Sequence, residues 1–207
     1  MIKILGRTDS INVRKVLWLC DELHLPYRRE DWGRGFRSPK EQEFVQLNPN
    51  ATIPVLIDEE LTLWQSNSII RYLANAYGGS ALYPTEPKTR ALIDQWIDWQ
   101  GIELNNSWVY ALMHIIRNSP EHQDQKEVEK SIQAWNSMML ILENQLANTQ
   151  AYVAGQQFSL ADIPIGLSVQ RWYLTPFEKP DCPHVKRYYD LLSQREPYLK
   201  WGNNGQN

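Results

Sequence analysis

The stretch Asn48-Pro-Asn-Ala-Thr-Ile-Pro-Val-Leu-Ile-Asp-Glu-Glu-Leu-Thr-Leu-Trp-Gln-Ser-Asn-Ser-Ile-Ile-Arg-Tyr-Leu73 reads as an apolar strand containing a proline, a charged turn, a second short strand and a helix. Pro54 has no N–H to give to a ladder, which predicts that its strand lies on a sheet edge or carries a bulge. Ile53 is held extended by the proline after it, and the Ile53–Pro54 bond is a candidate for the cis form. Beside an exposed edge, that geometry leaves the backbone of Ile53 available to pair with an extended ligand. Gln65-Ser66-Asn67-Ser68 falls where the second strand gives way to helical spacing. Polar side chains and free N–H groups at a helix start favour a carboxylate. Together the two features point to a peptide-like, anionic ligand.

Toward the N-terminus, Ile2–Leu5 reads as a short strand ended by Gly6. Val13, Val16, Leu17, Cys20 and Leu23 then follow helical spacing, with Ser10 and Asn12 as helix-start residues. Pro26 to Asp31 reads as a second strand, parallel to the first because a helical crossover joins them. An irregular basic segment runs from Trp32 to Lys40, and one or two helical turns cover Glu41 to Leu47. The order βαβαββα over residues 1–77 predicts a small α/β domain.

Gly78-Gly79-Ser80, Pro84 and Pro87 mark a linker over 78–87, and residues 88–207 read as an all-helical domain. Leu92, Trp96, Trp99 and Ile102 form one stripe of a long helix reaching about Arg117, with a kink expected near Gly101. Val128, Ile132, Trp135, Met139, Leu142 and Leu146 step by fours and threes along another helix. Ser159-Leu-Ala-Asp162 has the form of a capping box, with Phe158 and Ile163 at staple positions and Pro164 in the first turn. A final helix is expected from Pro183 through Leu192, then a frayed tail over 203–207.

Composition narrows the function. A net charge of −3 with no basic block argues against nucleic acid. No apolar run approaches the roughly 20 residues of a membrane span, and the first residues are too soon polar for a secretory signal. Only two cysteines are present, Cys20 and Cys182, far apart and without metal-ligand spacing; that excludes a disulfide framework, and a cytoplasmic location is expected. Cys20 falls on the apolar face of the first helix and reads as structural. The nine tryptophans fill core, line a pocket or face a partner.

In order along the chain stand Ser10-x-Asn12-Val13-x-Lys15-Val16, Leu47-Asn-Pro49 ahead of Ile53-Pro54-Val55-Leu56, Gln65-Ser66-Asn67 opening a helix that ends Arg71-Tyr72-Leu73, and Phe158-Ser-Leu-Ala-Asp162. This set resembles the cytosolic glutathione transferases over nearly the whole chain. The pattern is most similar to the serine-using classes related to theta and to bacterial transferases. It is unlike the beta class, whose cysteine would fall at Ser10. The resemblance implies that the first domain, residues 1–77, is an α/β thioredoxin-like domain with a mixed sheet that binds glutathione, and that the helical domain builds most of the acceptor pocket. By that resemblance Ile53, next to Pro54, pairs with the cysteinyl unit, and Gln65 and Ser66 hold the γ-glutamyl end. Thr52 stands where related classes often carry a cation near the glycyl carboxylate, and Arg37 or Lys40 are the candidates to compensate. Trp108, Tyr110, Met113 and Arg117, with Trp172 and Tyr173 from another helix, are the acceptor-pocket candidates, against a competing role in helical core packing. Asp98 and Glu103 are candidates to face the partner of a homodimer.

The chemistry expected follows from sulfur. A free thiol has a pKa of about 8.5, and the thiolate is the nucleophile. A hydroxyl donating to sulfur at a helix start favours the charged form. Ser10 fits that role, with helix capping as the alternative; Asn12 is the nearest rival and Thr8 a weaker one. The expected function is a glutathione transferase that activates the thiol for attack on small hydrophobic electrophiles, in detoxification. A peroxidase, isomerase or dehalogenase using glutathione, or a binding or regulatory protein that kept the fold, are the alternatives. Glutathione is a cosubstrate, and no metal or organic cofactor is expected.

Overall fold

Gly6 ends the first strand for a steric reason. A Cβ there would lie 2.5 Å from Val13 Cγ2 and 3.3 Å from Ile53 Cβ, so only glycine lets the first helix and the Ile53 segment close over the strand end. Around this point the computed structural model, which describes residues 1–203 and 205, builds its first unit. The chain divides into two compact units, 1–85 and 86–207.

In the first unit, β1 (Ile2–Leu5), α1 (Ile11–Glu22), β2 (Tyr27–Glu30), α2 (Gln42–Leu47), β3 (Val55–Asp58), β4 (Leu61–Trp64) and α3 (Ser66–Ala76) follow one another. The sheet order is β2-β1-β3-β4. β1 runs parallel to β2 with Ile2 opposite Tyr27, and antiparallel to β3 with Lys3 opposite Ile57. β4 pairs antiparallel with β3, Val55 opposite Trp64. The mixed thioredoxin-like sheet is therefore as expected, with one correction. β3 is an interior strand, not an edge, and needs no bulge: Pro54 stands just before its first residue, outside the ladder, so its missing N–H costs no sheet hydrogen bond.

α1 and α3 pack together, burying Val13, Val16, Leu17, Cys20, Ile69, Ile70 and Leu73 completely. A separate cluster joins Leu5, Trp32, Phe44 and Val55, with Leu47, Ile53 and Ile57 packed against it. Asn48 is buried and shapes the approach to β3: its amide donates to the Thr52 carbonyl at 2.7 Å, and its Oδ1 accepts from Asn50 N at 3.0 Å. Such local side-chain bonds replace ladder partners in a turn. Asp58 closes the unit by accepting from the hydroxyls of Tyr72 and Tyr77.

The second unit starts at α4 (Pro87–Trp99), where the Glu86 carboxylate accepts from the N–H groups of Lys88 and Thr89 and Pro87 fills the first turn. A π-helical segment, Gln100–Leu104, follows, then α5 (Asn105–Ile115), α6 (Gln125–Thr149), α7 (Asp162–Leu174), α8 (Pro183–Leu192) and α9 (Glu196–Trp201). The irregularity expected at Gly101 is thus a widened turn, and the predicted stripe of Leu92, Trp96, Trp99 and Ile102 is not the buried face. Ile93, Trp96, Ile97, Gln100 and Leu104 are buried, whereas Leu92 is 51% and Ile102 58% exposed. The buried face keeps steps of three and four through the widened turn but is offset by one position from the predicted stripe: Leu92 lies before that turn and Ile102 within it. α9 was not anticipated; of the expected 203–207 tail, residues 204, 206 and 207 lie outside the described residues.

α7 is buried at every position from Asp162 to Trp172, the pattern of a helix surrounded by others. Its start is fixed by the Asp162 carboxylate, which accepts from Val153 N (3.0 Å), Ser159 N (2.8 Å), Ser159 Oγ (3.0 Å) and Tyr188 Oη (2.8 Å). The Asp162-to-Ser159 N–H half of the capping box is present. The Ser159 hydroxyl donates to the carboxylate instead of accepting from the helix.

Both cysteines are buried. Burial, assisted by Asp21, pushes the Cys20 thiol up to about 12, and burial with Glu143 and Asp181 pushes Cys182 up to about 11. Neither supplies a thiolate near neutral pH. An aromatic disulfide reagent at pH 8 is expected to titrate close to no thiol in the native chain and both after unfolding; rapid native reaction of either would contradict this.

Candidate functional site

The loop from Gly6 to Ser10 lies at the C-terminal end of β1, the end of a strand where α/β folds commonly place ligands. Ser10 occupies the N-cap of α1 with extended backbone (φ −83°, ψ 123°), and its carbonyl accepts from Arg14 N at 2.9 Å. Its hydroxyl makes no capping hydrogen bond. The position is therefore that of a cap while the side chain is left for other use.

The starts of α1 and α3 are tied by two side-chain bonds. Ser66 Oγ donates to Asn12 Oδ1 at 3.2 Å, and Lys15 Nζ donates to Asn67 Oδ1 at 3.0 Å, with Lys15 and Ser66 buried. Two helix N-termini, each with unpaired N–H groups and the positive end of a dipole, thus open in one region of this unit. Gln65 stands at the start of α3, exposed, at φ 70°, an uncommon backbone for a non-glycine residue. The Ile53–Pro54 bond is cis. Among the described residues the backbone of half-buried Ile53 forms no hydrogen bond.

Thr52 is exposed, its carbonyl held by Asn48. Arg37 is committed elsewhere: its guanidinium lies 4.1 Å over the Trp32 ring and pairs with Glu41 at 2.8 Å and with Glu43. Lys40 is exposed and makes no ion pair among the described residues. Sequence reading missed a nearer charge cluster. Arg7 pairs with Asp9, and Arg34 Nη2 lies 3.7 Å from the other Asp9 oxygen. Burial raises the Asp9 carboxyl, but its bond to Arg7 and the charges of Arg7 and Arg34 outweigh this and hold it below its ordinary value. Only the closeness of Asp9 to Ser10 was a signal in the sequence. Arg34 reaches it through the pairing of β1 with β2, which brings the two loops together.

In the second unit, Trp108 and Trp172 are fully buried. Trp108 stacks on Trp135 at 5.3 Å between centroids, and Trp172 Nε1 donates to Asn136 Oδ1 at 3.0 Å. Both are core of the helical unit, so the competing explanation describes them. Met113, Tyr110, Arg117 and Tyr173 are half-buried. Tyr110 Oη accepts from Asp124 N at 3.2 Å, and Tyr173 packs on Tyr189 at 5.1 Å. Asp98 and Glu103 are exposed. Among the described residues no three His, Cys, Asp or Glu side chains gather as metal ligands, and no helix is long and apolar enough to cross a membrane.

Residues 2–75 match the family profile "Glutathione S-transferase, N-terminal domain", and residues 108–196 match "Glutathione S-transferase, C-terminal domain". The chain belongs to the glutathione S-transferase family. It is 34% identical over 202 residues to glutathione S-transferase GstB of Escherichia coli K12, covering 97% of each chain. It is also similar to a theta class glutathione S-transferase of the citrus canker pathogen Xanthomonas axonopodis pv. citri, solved with glutathione bound. There the identity is 34%, the TM-score 0.90, and the coverage 97% of this chain and 96% of that one. Glutathione S-transferase D6 of Drosophila melanogaster is 33% identical over 155 residues, 74% of this chain and 69% of its own.

Proposed function

We propose that this protein is a glutathione transferase of the serine-using, theta-like kind, acting as a cytoplasmic homodimer in detoxification. The observation that carries the reading is the joining of the α1 and α3 starts through Ser66 and Asn12, beside a Ser10 hydroxyl that caps nothing. Gln65 and Ser66 receive the γ-glutamyl end at the start of α3. The unpaired backbone of Ile53 takes the cysteinyl unit as an added strand would. Ser10 keeps its proton and donates a hydrogen bond from its hydroxyl to the sulfur, and the positive end of α1 adds to the stabilisation of the thiolate. The thiol proton leaves to solvent, and the thiolate attacks an electrophilic carbon. Lys40 is the remaining candidate for the glycyl carboxylate. Glutathione is the cosubstrate and no further cofactor enters. Exposed Leu92, Ile102 and Ile141 give the helical unit apolar surface for a second copy.

Calorimetry with millimolar glutathione and conjugation to an aryl halide test the reading, with light scattering for the dimer. Binding, thioether formation and twice the chain mass of 24.3 kDa are expected. Neither binding nor consumption of glutathione across a broad electrophile panel would overturn the transferase assignment.

A further inference from the structure

Arg29 of β2 reaches across the sheet end to the backbone that leads into Ser10. Its Nη1 donates to the Gly6 carbonyl at 2.9 Å. Nη1 and Nη2 also pair with the two carboxylate oxygens of Asp31, Nη2 at 3.2 Å, so the fork is held from both sides. The Arg29 side chain is 25% exposed, largely withdrawn from water. Gly6 N donates to Glu30 O at 2.8 Å and Arg7 N to Trp32 O at 3.1 Å, but no backbone N–H among the described residues reaches the Gly6 carbonyl. The guanidinium supplies the donor that the sheet does not. Gly6 itself has no slack, being pressed between Val13 of α1 and Ile53. One turn further on, Ser10 N donates to the Arg7 carbonyl at 3.3 Å. The place of Ser10 thus descends from β2 by a chain of bonds, through Gly6 and Arg7. Asp31 cancels the guanidinium charge, so the pair supplies position and not field.

We propose that Arg29 is a positioning residue for thiolate formation: its bond to the Gly6 carbonyl, braced by Asp31, fixes the loop that aims the Ser10 hydroxyl at the sulfur. The inference rests on the transferase reading with Ser10 as the donor, and adds a residue that touches neither glutathione nor the reacting atoms. A hydrogen bond weakens steeply as its length and angle depart from ideal. Misplacement by an ångström at a reacting centre costs on the order of 100-fold in rate. Without Arg29 the Gly6 carbonyl loses a charged donor and the loop turns to find another. The Ser10 hydroxyl moves with it.

The test is a double-mutant cycle with Ser10, read by conjugation of glutathione to an aryl halide. Arg29→Met is expected to lower kcat about tenfold near pH 6.5, with KM for glutathione changed little and the rising limb of the pH–rate curve moved up. Arg29→Lys keeps a donor for the carbonyl and should recover part of the rate. The decisive variant is Arg29→Met made on Ser10→Ala: with no hydroxyl left to aim, it should slow the enzyme by less than about twofold. Circular dichroism and the denaturant midpoint identify any variant that fails to fold. Should Arg29→Met do so, Asp31→Asn, which loosens the fork without removing it, takes its place in the cycle. Kinetics like the wild type's in the folded variant, or a loss undiminished on the Ser10→Ala background, overturn this inference alone. A Ser10→Ala protein as fast as the wild type refutes the role of Ser10 beneath it and this inference as well. No glutathione consumption with any electrophile refutes the transferase reading itself.

Discussion

Ser10→Ala is expected to lower kcat for glutathione conjugation roughly 10- to 100-fold, the range for losing one hydrogen bond to a charged group. KM for glutathione should change little, because Gln65, Ser66 and Ile53, not Ser10, hold the tripeptide in this reading. The pH profile supplies an independent check. A donor to sulfur keeps the bound thiol ionised below its free pKa of about 8.5. Without it the rising limb of the pH–rate curve should move up toward that value, so the deficit is largest near pH 6.5 and shrinks by pH 9. The fold is expected to be unaffected, since the Ser10 hydroxyl makes no capping bond to lose. Unchanged kinetics in Ser10→Ala, with the loss found in Asn12→Ala, would transfer the role to Asn12. That variant should also loosen the α3 start, through the lost bond to Ser66.

Asp162→Ala should cost about 3–5 kcal/mol of folding free energy, since several buried donors lose their acceptor and each such loss is worth roughly 1–3 kcal/mol. Burial raises the Asp162 carboxyl to about 6, with hydrogen bonds from Val153, Ser159 and Tyr188 opposing the rise, so at pH 7.5 the group is the carboxylate its donors require. Alanine leaves two backbone N–H groups and two hydroxyls without their acceptor inside a dry core. It also unties the start of α7, the helix buried along nearly its whole length. The denaturant midpoint measures the loss, and Tyr188→Phe, which removes one donor and leaves the others paired, should cost far less. A loss below about 1 kcal/mol in Asp162→Ala would mean that the network relaxes or is wet.

The sequence alone determined the order of elements in the first unit, the division into an α/β part and a helical part, and the identity of the α3 start. These depend on short-range physics: proline and glycine punctuation, periods of two and 3.6, and polar residues at helix starts. It determined Ser10 as a candidate, because residue type and place after β1 are both local. It did not determine what Ser10 was free to do, since capping and donating to a ligand use the same residue in the same position. Only the folded chain showed the hydroxyl uncapped and Asn12 taken by Ser66. The interior place of β3 also required the tertiary structure, because a proline one residue outside a ladder looks the same in sequence as one inside it. The stripe of Leu92 and Ile102 failed because apolar residues on adjacent positions of this helix fit two phases of the helical period, and tertiary packing chose the phase through Ile93, Ile97, Gln100 and Leu104. The Arg7–Asp9–Arg34 cluster was hidden most completely. Charge pairing acts over a few ångströms of space, and the parallel pairing of β1 and β2 is what brings Arg34 to the loop that carries Ser10.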